Sequence, residues 1–331
     1  MSERREPGIP ASSERGPSGP AAKPQRAESG TDLPERWTAV INPVAGRGRG
    51  RTQLPHIADA LARVDADVRI EVSADLADAA RIATAAYDDH RGVVACGGDG
   101  LVSRLARLAA EHGGVLAIVP AGSGNDFARH LAIPRDDPVA AAALLRTGRV
   151  EPVDLCRAET EDGTSAWSTT VANAGFDAEA NRWANTVDWA GGTPLYVLAM
   201  LRTLASYRPR RVRVTVDDDV LDTDAWLVAV GNSRSYAGGM MITPDAALDD
   251  GVLDVCVVGR VSRADFLRTF PKVFDGTHTD HPLVAMRRGT RVVIEMPEAL
   301  DTAELWASGE RVGPLPAQVE AVPGALRVVV T

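Results

Sequence analysis

Residues 93–105 read VVACGGDGLVSRL, and the reading of this stretch decides the fold. Four apolar or small residues, Val93, Val94, Ala95 and Cys96, lead into Gly97-Gly98-Asp99-Gly100. Leu101, Leu105 and Leu108 then fall on one helical face, with Arg104 and Arg107 on another. The pattern is strand, glycine loop, helix. Glycines in such a loop let successive N–H groups converge on an anion, although the same residues also make a plain tight turn. Asp99 sharpens the choice. A carboxylate there repels a polyphosphate unless it binds Mg²⁺, orders a neighbouring loop, or accepts a proton from a nucleophile.

The flanking sequence repeats the pattern. WTAVINP (37–43) is a strand entering the loop Asn42-Pro43-Val44-Ala45-Gly46-Arg47-Gly48, followed by a helix through HIADALARV (56–64). DVRIEVS (67–73) is a strand, and DLADAARIATAAY (75–87) a helix with Ser73 or Asp75 as its N-cap. VLAIVPAGSGNDFARHL (115–131) is again strand, loop and helix. Four such units predict an α/β domain with a parallel sheet covered by helices, in which ligands sit at the carboxyl ends of the strands. All three glycine loops follow strands, so they share one edge.

Beyond about residue 150 the texture changes. VEPVDLCRAE, SAWSTTVANAGF, RRVRVTVDDD, DAWLVAVGN, GVLDVCVVG, TRVVIEM and LRVVV read as strands joined by short turns, which predicts an antiparallel β-sandwich. One helix, TPLYVLAMLRTLASY (193–207), interrupts them. It reads as core. Its apolar side and Arg208, Arg210 and Arg211 also suit a membrane surface. The expected division is a disordered tail over 1–35, an α/β domain over 36–150 and a β-sandwich domain over 151–331, whose final strand can return to the first domain.

Composition narrows the function. At 331 residues and 45% hydrophobic content the chain can bury two cores, while a net charge of -9 argues against a nucleic-acid partner. Cys96, Cys156 and Cys256 are far apart, which suggests neither a disulfide framework nor a zinc site and fits a reducing, cytoplasmic compartment. There is no apolar run of about 18 residues and no signal-peptide core. Residues 1–35 are rich in Pro, Gly, Ser, Glu and Arg and cannot offset their ordering entropy by burial. The six histidines show no HExxH or paired spacing.

In Pro120-Ala121-Gly122-Ser123-Gly124-Asn125-Asp126-Phe127, two glycines flank a hydroxyl and the chain enters a helix whose first N–H groups attract anions. Asn125 and Asp126 read equally well as a helix cap. No GxxxxGK[ST] and no strand-end GxGxxG occurs, so the common P-loop and dinucleotide fingerprints are absent. Asp249-Asp250-Gly251, taken alone, is an ordinary hairpin turn.

Taken together, NPVAG (42–46), GGDG (97–100), PAGSGNDFAR (120–129), NAGFDAEA (173–180), GGMMITPDAALDDGVLDV (238–255) and SGE (308–310) follow the order seen in the diacylglycerol kinase catalytic-domain family. The chain resembles that family, which includes bacterial lipid kinases and is similar to sphingosine and ceramide kinases, over residues 37–331. The resemblance implies a first domain like those of NAD kinases and phosphofructokinases, a β-sandwich second domain, and an active site between them. It implies ATP and Mg²⁺ as cofactors and a diacylglycerol or related long-chain alcohol, such as a sphingoid base, as acceptor. Peripheral contact with the inner face of the membrane fits such a substrate, and a homodimer is left open.

Carried over position by position, Asn42, Pro43, Val44, Ala45, Gly46, Ser73, Gly98, Asp99, Gly100, Ser123 and Asn125 would contact the nucleotide. Asp250, with the carbonyls of Ala247 and Val252, would match the Mg²⁺ site. Glu310 would match the general base, with Asp99 as a second catalytic carboxylate. Phosphoryl transfer needs such an arrangement: a γ-phosphoryl group held in line and a carboxylate that orients the attacking hydroxyl. The chain departs from the family pattern where Leu101 stands for threonine, Arg104 for glutamate, Ser123 for threonine and Ser308 for aspartate. Two alternatives follow: a kinase of a soluble hydroxylated metabolite, or a nucleotide-binding regulator with impaired catalysis.

Overall fold

Each strand of the first half is followed by a helix that covers it. The computed structural model describes residues 32–43, 49–187, 192–299 and 303–331, so the predicted contacts Val44, Ala45 and Gly46 and nearly all of the predicted tail lie outside the described residues. In chain order come β1 (Arg36–Ile41), α1 (Arg49–Ala62), β2 (Asp67–Val72), α2 (Leu76–Asp88), β3 (Gly92–Gly97), α3 (Asp99–His112), β4 (Val115–Pro120), α4 (Asp126–His130) and α5 (Pro138–Thr147). β1 pairs in parallel with β2 and β3, and β3 with β4. Every residue of β3 and β4 is buried, as the continuous apolar runs require of strands covered on both faces. Burying each Val, Ile or Leu there contributes about 1.5–3 kcal/mol. α1 packs on α5, and α2 on α3. Asp75 is the N-cap of α2, accepting the Asp78 N–H at 2.8 Å.

The second half contains β5 (Arg149–Thr160), β6 (Ser165–Ser168), β7 (Val171–Gly175), α6 (Phe176–Ala184), α7 (Gly192–Ser206), β8 (Arg210–Val216), β9 (Asp219–Gly231), β10 (Leu253–Gly259), α8 (Arg263–Thr269), β11 (Val284–Gly289), β12 (Arg291–Glu295), β13 (Glu304–Ala307), β14 (Glu310–Pro314) and β15 (Ala317–Val330). Pairing is antiparallel throughout this set. The second half of β9, from Ala225, and all of β10 are buried on both faces. Val228, Val230, Val255 and Val257 enter one core, while Leu227, Ala229, Cys256 and Val258 enter another shared with α6 and α7. Among the described residues, three α-helices rather than the expected one interrupt the strands. α6 and α8 run nine and seven residues, too short for apolar periodicity to reveal them.

β15 joins the halves. It pairs with β5 over its length, with a register shift between Val322 and Leu326. Before the shift it also pairs with β12, and after it Arg327 and Val328 run parallel to Val115 and Leu116 of β4. One hydrogen-bonded path therefore runs from β14 to β2, and the loops after β3 and β4 face the second set of strands.

Candidate active site

The loops after β3 and β4 touch backbone to backbone. A Cβ on Gly122 would lie 2.5 Å from the Gly98 Cα, and one on Gly98 would lie 3.1 Å from the Gly122 Cα. Only glycine fits both places. Asp99, in the first loop, accepts the N–H of Asn125 through Oδ2 at 2.8 Å and that of Asp126 through Oδ1 at 2.7 Å. Of the three uses foreseen for this carboxylate, it performs the ordering of a neighbouring loop. Of the N–H groups entering the five-residue α4, where a ligand anion was expected, Asp99 takes those of Asn125 and Asp126. Burial, with Asp126 close by, raises the Asp99 pKa.

Asn125 has a left-handed backbone, φ 52°, and closes its own loop. Its Oδ1 accepts the Gly122 N–H at 3.0 Å and its Nδ2 donates to the Gly122 carbonyl at 2.9 Å. Both ends of the predicted nucleotide ligand are thus spent within the loop. Asp126 reaches across to the second half, where its Oδ2 accepts the Gly238 N–H at 2.7 Å and its Oδ1 the Ser235 hydroxyl at 3.2 Å. Two carboxylates in series, the half-buried Asp99 and the buried Asp126, therefore fix GGDG, SGND and the turn at 235–238 against one another.

Between these loops and the second half lies a cleft of about 260 Å³, walled by Asp99, Ser123 and Asp126 on one side and by Thr170, Tyr236 and Ser308 on the other. Ser308 Oγ lies 2.7 Å from Ser168 Oγ and 3.2 Å from Thr170 Oγ1. Glu310 is not on this wall. The turn at Ser308 (φ 49°) and Gly309 (φ 82°) faces the cleft, and the chain then enters β14 with the Glu310 side chain exposed. Glu310, which the resemblance favoured as base, is thus exposed and does not line the cleft, whereas the Ser308 hydroxyl does.

The other predicted nucleotide contacts divide. Ser123 is exposed and lines both this cleft and a second cavity of about 590 Å³ beside α1 and α5. Gly100 is open, with nothing within 4 Å of its Cβ position. Ser73 is buried, and its hydroxyl donates to the Ile41 carbonyl at 3.2 Å, so it serves the seam between β1 and β2. Asn42 donates its N–H to the Cys96 carbonyl at 3.2 Å, and Pro43 follows in a turn. Leu101 is buried under Gly97 and Arg104 is exposed, so neither departure from the family pattern enters the cleft.

The predicted Mg²⁺ site does not fit its residues. Asp250 Oδ1 accepts the Val252 N–H at 3.1 Å, and Oδ2 is held by Arg288 Nη2. Each oxygen already has a partner, and one of the two partners is a positive charge that opposes a cation on the same carboxylate. Among the described residues, no group of three His, Cys, Asp or Glu side chains could hold a metal ion. A residue the sequence reading passed over organises this corner. Asp154 accepts the N–H groups of Gly251 and Gly324, each at 2.7 Å, tying the DDG turn to the shift in β15. An acid set between Val153 and Leu155 in a buried strand was its only signal.

Asp177 was also missed, although its motif was noted. It is fully buried in the first turn of α6, where the Tyr236 hydroxyl donates to it, and burial pushes its pKa up to about 7. Tyr236 belongs to two walls. It lines the polar cleft and also an apolar cavity formed by Met200, Leu227, Ile242, Phe266, Phe270 and Val284.

This geometry agrees with comparisons to known proteins. Residues 36–158 match the diacylglycerol kinase catalytic domain, and residues 170–330 match the YegS C-terminal NAD kinase beta sandwich-like domain. A diacylglycerol kinase of Mycobacterium tuberculosis is 36% identical over 293 residues, covering 88% of this chain and 94% of that one. A diacylglycerol kinase of Bacillus subtilis is 25% identical over 288 residues, covering 86% and 92%. A solved structure from Bacillus anthracis str. Sterne, described as a candidate diacylglycerol kinase, superposes with a TM-score of 0.74 at 25% identity, covering 92% of this chain and 98% of that chain. With two glycine loops locked together by Asp99 and both halves matched in order, the chain belongs to the diacylglycerol kinase family.

Proposed function

We propose that this protein transfers the γ-phosphoryl group of ATP to the hydroxyl of diacylglycerol or a related long-chain alcohol. The observation that carries the reading is Tyr236, a wall common to a polar cleft and an apolar cavity. The cleft suits a hydroxyl head, and the cavity, at about 50 Å³, suits the first methylenes of a hydrocarbon tail. In this reading residues 36–150 hold the nucleotide, with its phosphates over Gly98, Gly100 and Ser123, and residues 151–331 hold the acceptor. ATP arrives with Mg²⁺ as its own counter-ion.

The acceptor oxygen forms a bond to the γ-phosphorus, the bond from that phosphorus to the β,γ-bridging oxygen breaks, and ADP leaves. Asp99 takes the proton in this account. It lies on the cleft wall, two amide bonds hold it still, each oxygen keeps a further lone pair, and its raised pKa brings it nearer the working pH of a base.

Leu198 and Leu201 on α7, Leu267 on α8 and Phe274 just after it are exposed, as are Arg202 and Lys272, and the same segments supply Met200, Phe266, Phe270 and Val273 to the apolar cavity. This face suits the surface of an anionic bilayer from which a lipid is drawn.

Val284, half-buried at the cavity edge, provides the test. Val284→Trp is expected to raise KM for a long-chain acceptor at least about tenfold, the value of one or two lost methylene contacts, and to leave KM for ATP unchanged. An unchanged acceptor KM would remove the cavity from the acceptor site. In the same assay, Leu198→Asp with Leu201→Asp should slow turnover of lipid in anionic vesicles and spare detergent-dispersed lipid. Equal loss in both would remove the membrane face.

A further inference from the structure

Three carboxylates meet where the DDG turn joins β10. Asp154 accepts the N–H groups of Gly251 and Gly324, one on each oxygen. Asp250 is bonded to the Val252 N–H and to Arg288. Asp254 has a side chain only 3% exposed and lies 3.2 Å from Arg288 Nε. Among the described residues, Arg288 is the one cation ion-paired within this trio.

Its position follows from strand register. Arg288 on β11 is paired directly with Asp254 on β10, so its side chain lies over Asp254 and its guanidinium extends to Asp250 in the preceding turn. A planar guanidinium with several donors can serve two carboxylates at once, which a lysine ammonium does less well. Leaving a buried carboxylate such as Asp254 without a cation would be strongly destabilising.

We propose that Arg288 supplies internally the positive charge for which the family resemblance implies Mg²⁺ at Asp250, so that this corner folds without a metal. A divalent cation demands several oxygen ligands at short range, and here one oxygen of Asp250 faces a fixed positive charge while the other holds an amide. The consequence is structural. The turn carrying Asp250 is tied through Asp154 to Gly324 of β15, and its Leu248 side chain packs in the core of the first half. Arg288 thereby holds the two sides of the cleft in register whatever the divalent ion concentration. Asp254 Oδ2 is buried with no hydrogen-bond partner among the described residues, so a divalent ion that displaced Arg288 would gain that oxygen. This is the competing outcome.

The test needs no substrate. Without nucleotide, thermal unfolding of the wild type should give the same Tm in excess Mg²⁺ and in EDTA, and Mn²⁺ titration followed by electron paramagnetic resonance should show no tight site. Arg288→Gln should unfold at lower temperature in EDTA and regain about 2 °C or more in excess Mn²⁺, as mass action requires of a newly opened site. A wild-type Tm that rises with Mg²⁺, together with one bound Mn²⁺ lost in Asp250→Asn, overturns the proposal. The wild-type measurements decide it even if Arg288→Gln does not fold. No readout involves turnover, so failure of the lipid-kinase reading leaves this proposal standing.

Discussion

Asp99 and Glu310 can be separated by one pair of variants. Asp99 lies on the cleft wall, and Glu310 stands exposed at the start of β14. Asp99→Asn should therefore lower kcat by about 10²–10⁴, the span of a lost general base, whereas Glu310→Gln should stay near the parent value. The opposite order in steady-state kinetics would return the base role to Glu310. Asp99 was readable from sequence because glycines isolate it after a strand. The facing of Ser308 and Glu310 was not, because it depends on two positive φ angles in the turn between β13 and β14. Asp177 makes a second prediction. An unfolded aspartate titrates near 3.9, and burial moves this one to about 7. Between those values the folded chain holds a proton that the unfolded chain has released, so stability falls as pH rises from about 4 to about 7 and stays reduced above it. Asp177→Asn should flatten that slope, as read by denaturant unfolding at about pH 5 and pH 8. An identical slope in the variant would place the pH dependence elsewhere.

Among the elements, the backbone-to-backbone contact between the loops after β3 and β4 is a tight constraint. Gly122→Ala would put a methyl 2.5 Å from the Gly98 Cα and 2.8 Å from Asn125 Oδ1, and backbone cannot retreat as a side chain can. A loss of about 1–3 kcal/mol is expected from such overpacking, with weaker ATP binding in calorimetry. Unchanged stability and affinity would show that the loops tolerate separation. The strand, loop and helix units around this contact were legible because β3 and β4 are apolar throughout and α3 keeps a clean face. α6 and α8 were not, being too short to show a period. SAWSTTVANAGF, read as one strand, divides into β6 and β7 because the chain breaks at Thr169 and Thr170 to line the cleft.

Across the whole molecule, β5 and β15 decide how the two halves face each other. Their shared shift between Val322 and Leu326 lies beside Asp154, which binds the turns at Gly251 and Gly324 together. The return of the last strand to β4 was foreseen only as an option, since no local pattern in LRVVV distinguishes a partner in the first sheet from one in the second. The carboxylate links that close the cleft also escaped, because partners such as Asp126 and Gly238 are 112 residues apart. Phosphorylation of a lipid hydroxyl in this cleft is tested by transfer of label from γ-labelled ATP, with Mg²⁺, to a panel of dispersed diacylglycerols, sphingoid bases and soluble alcohols. A labelled phospholipid that depends on the long-chain acceptor and disappears in Asp99→Asn is expected. Label entering only a soluble acceptor, or ATP binding without any acceptor-dependent product, would contradict it.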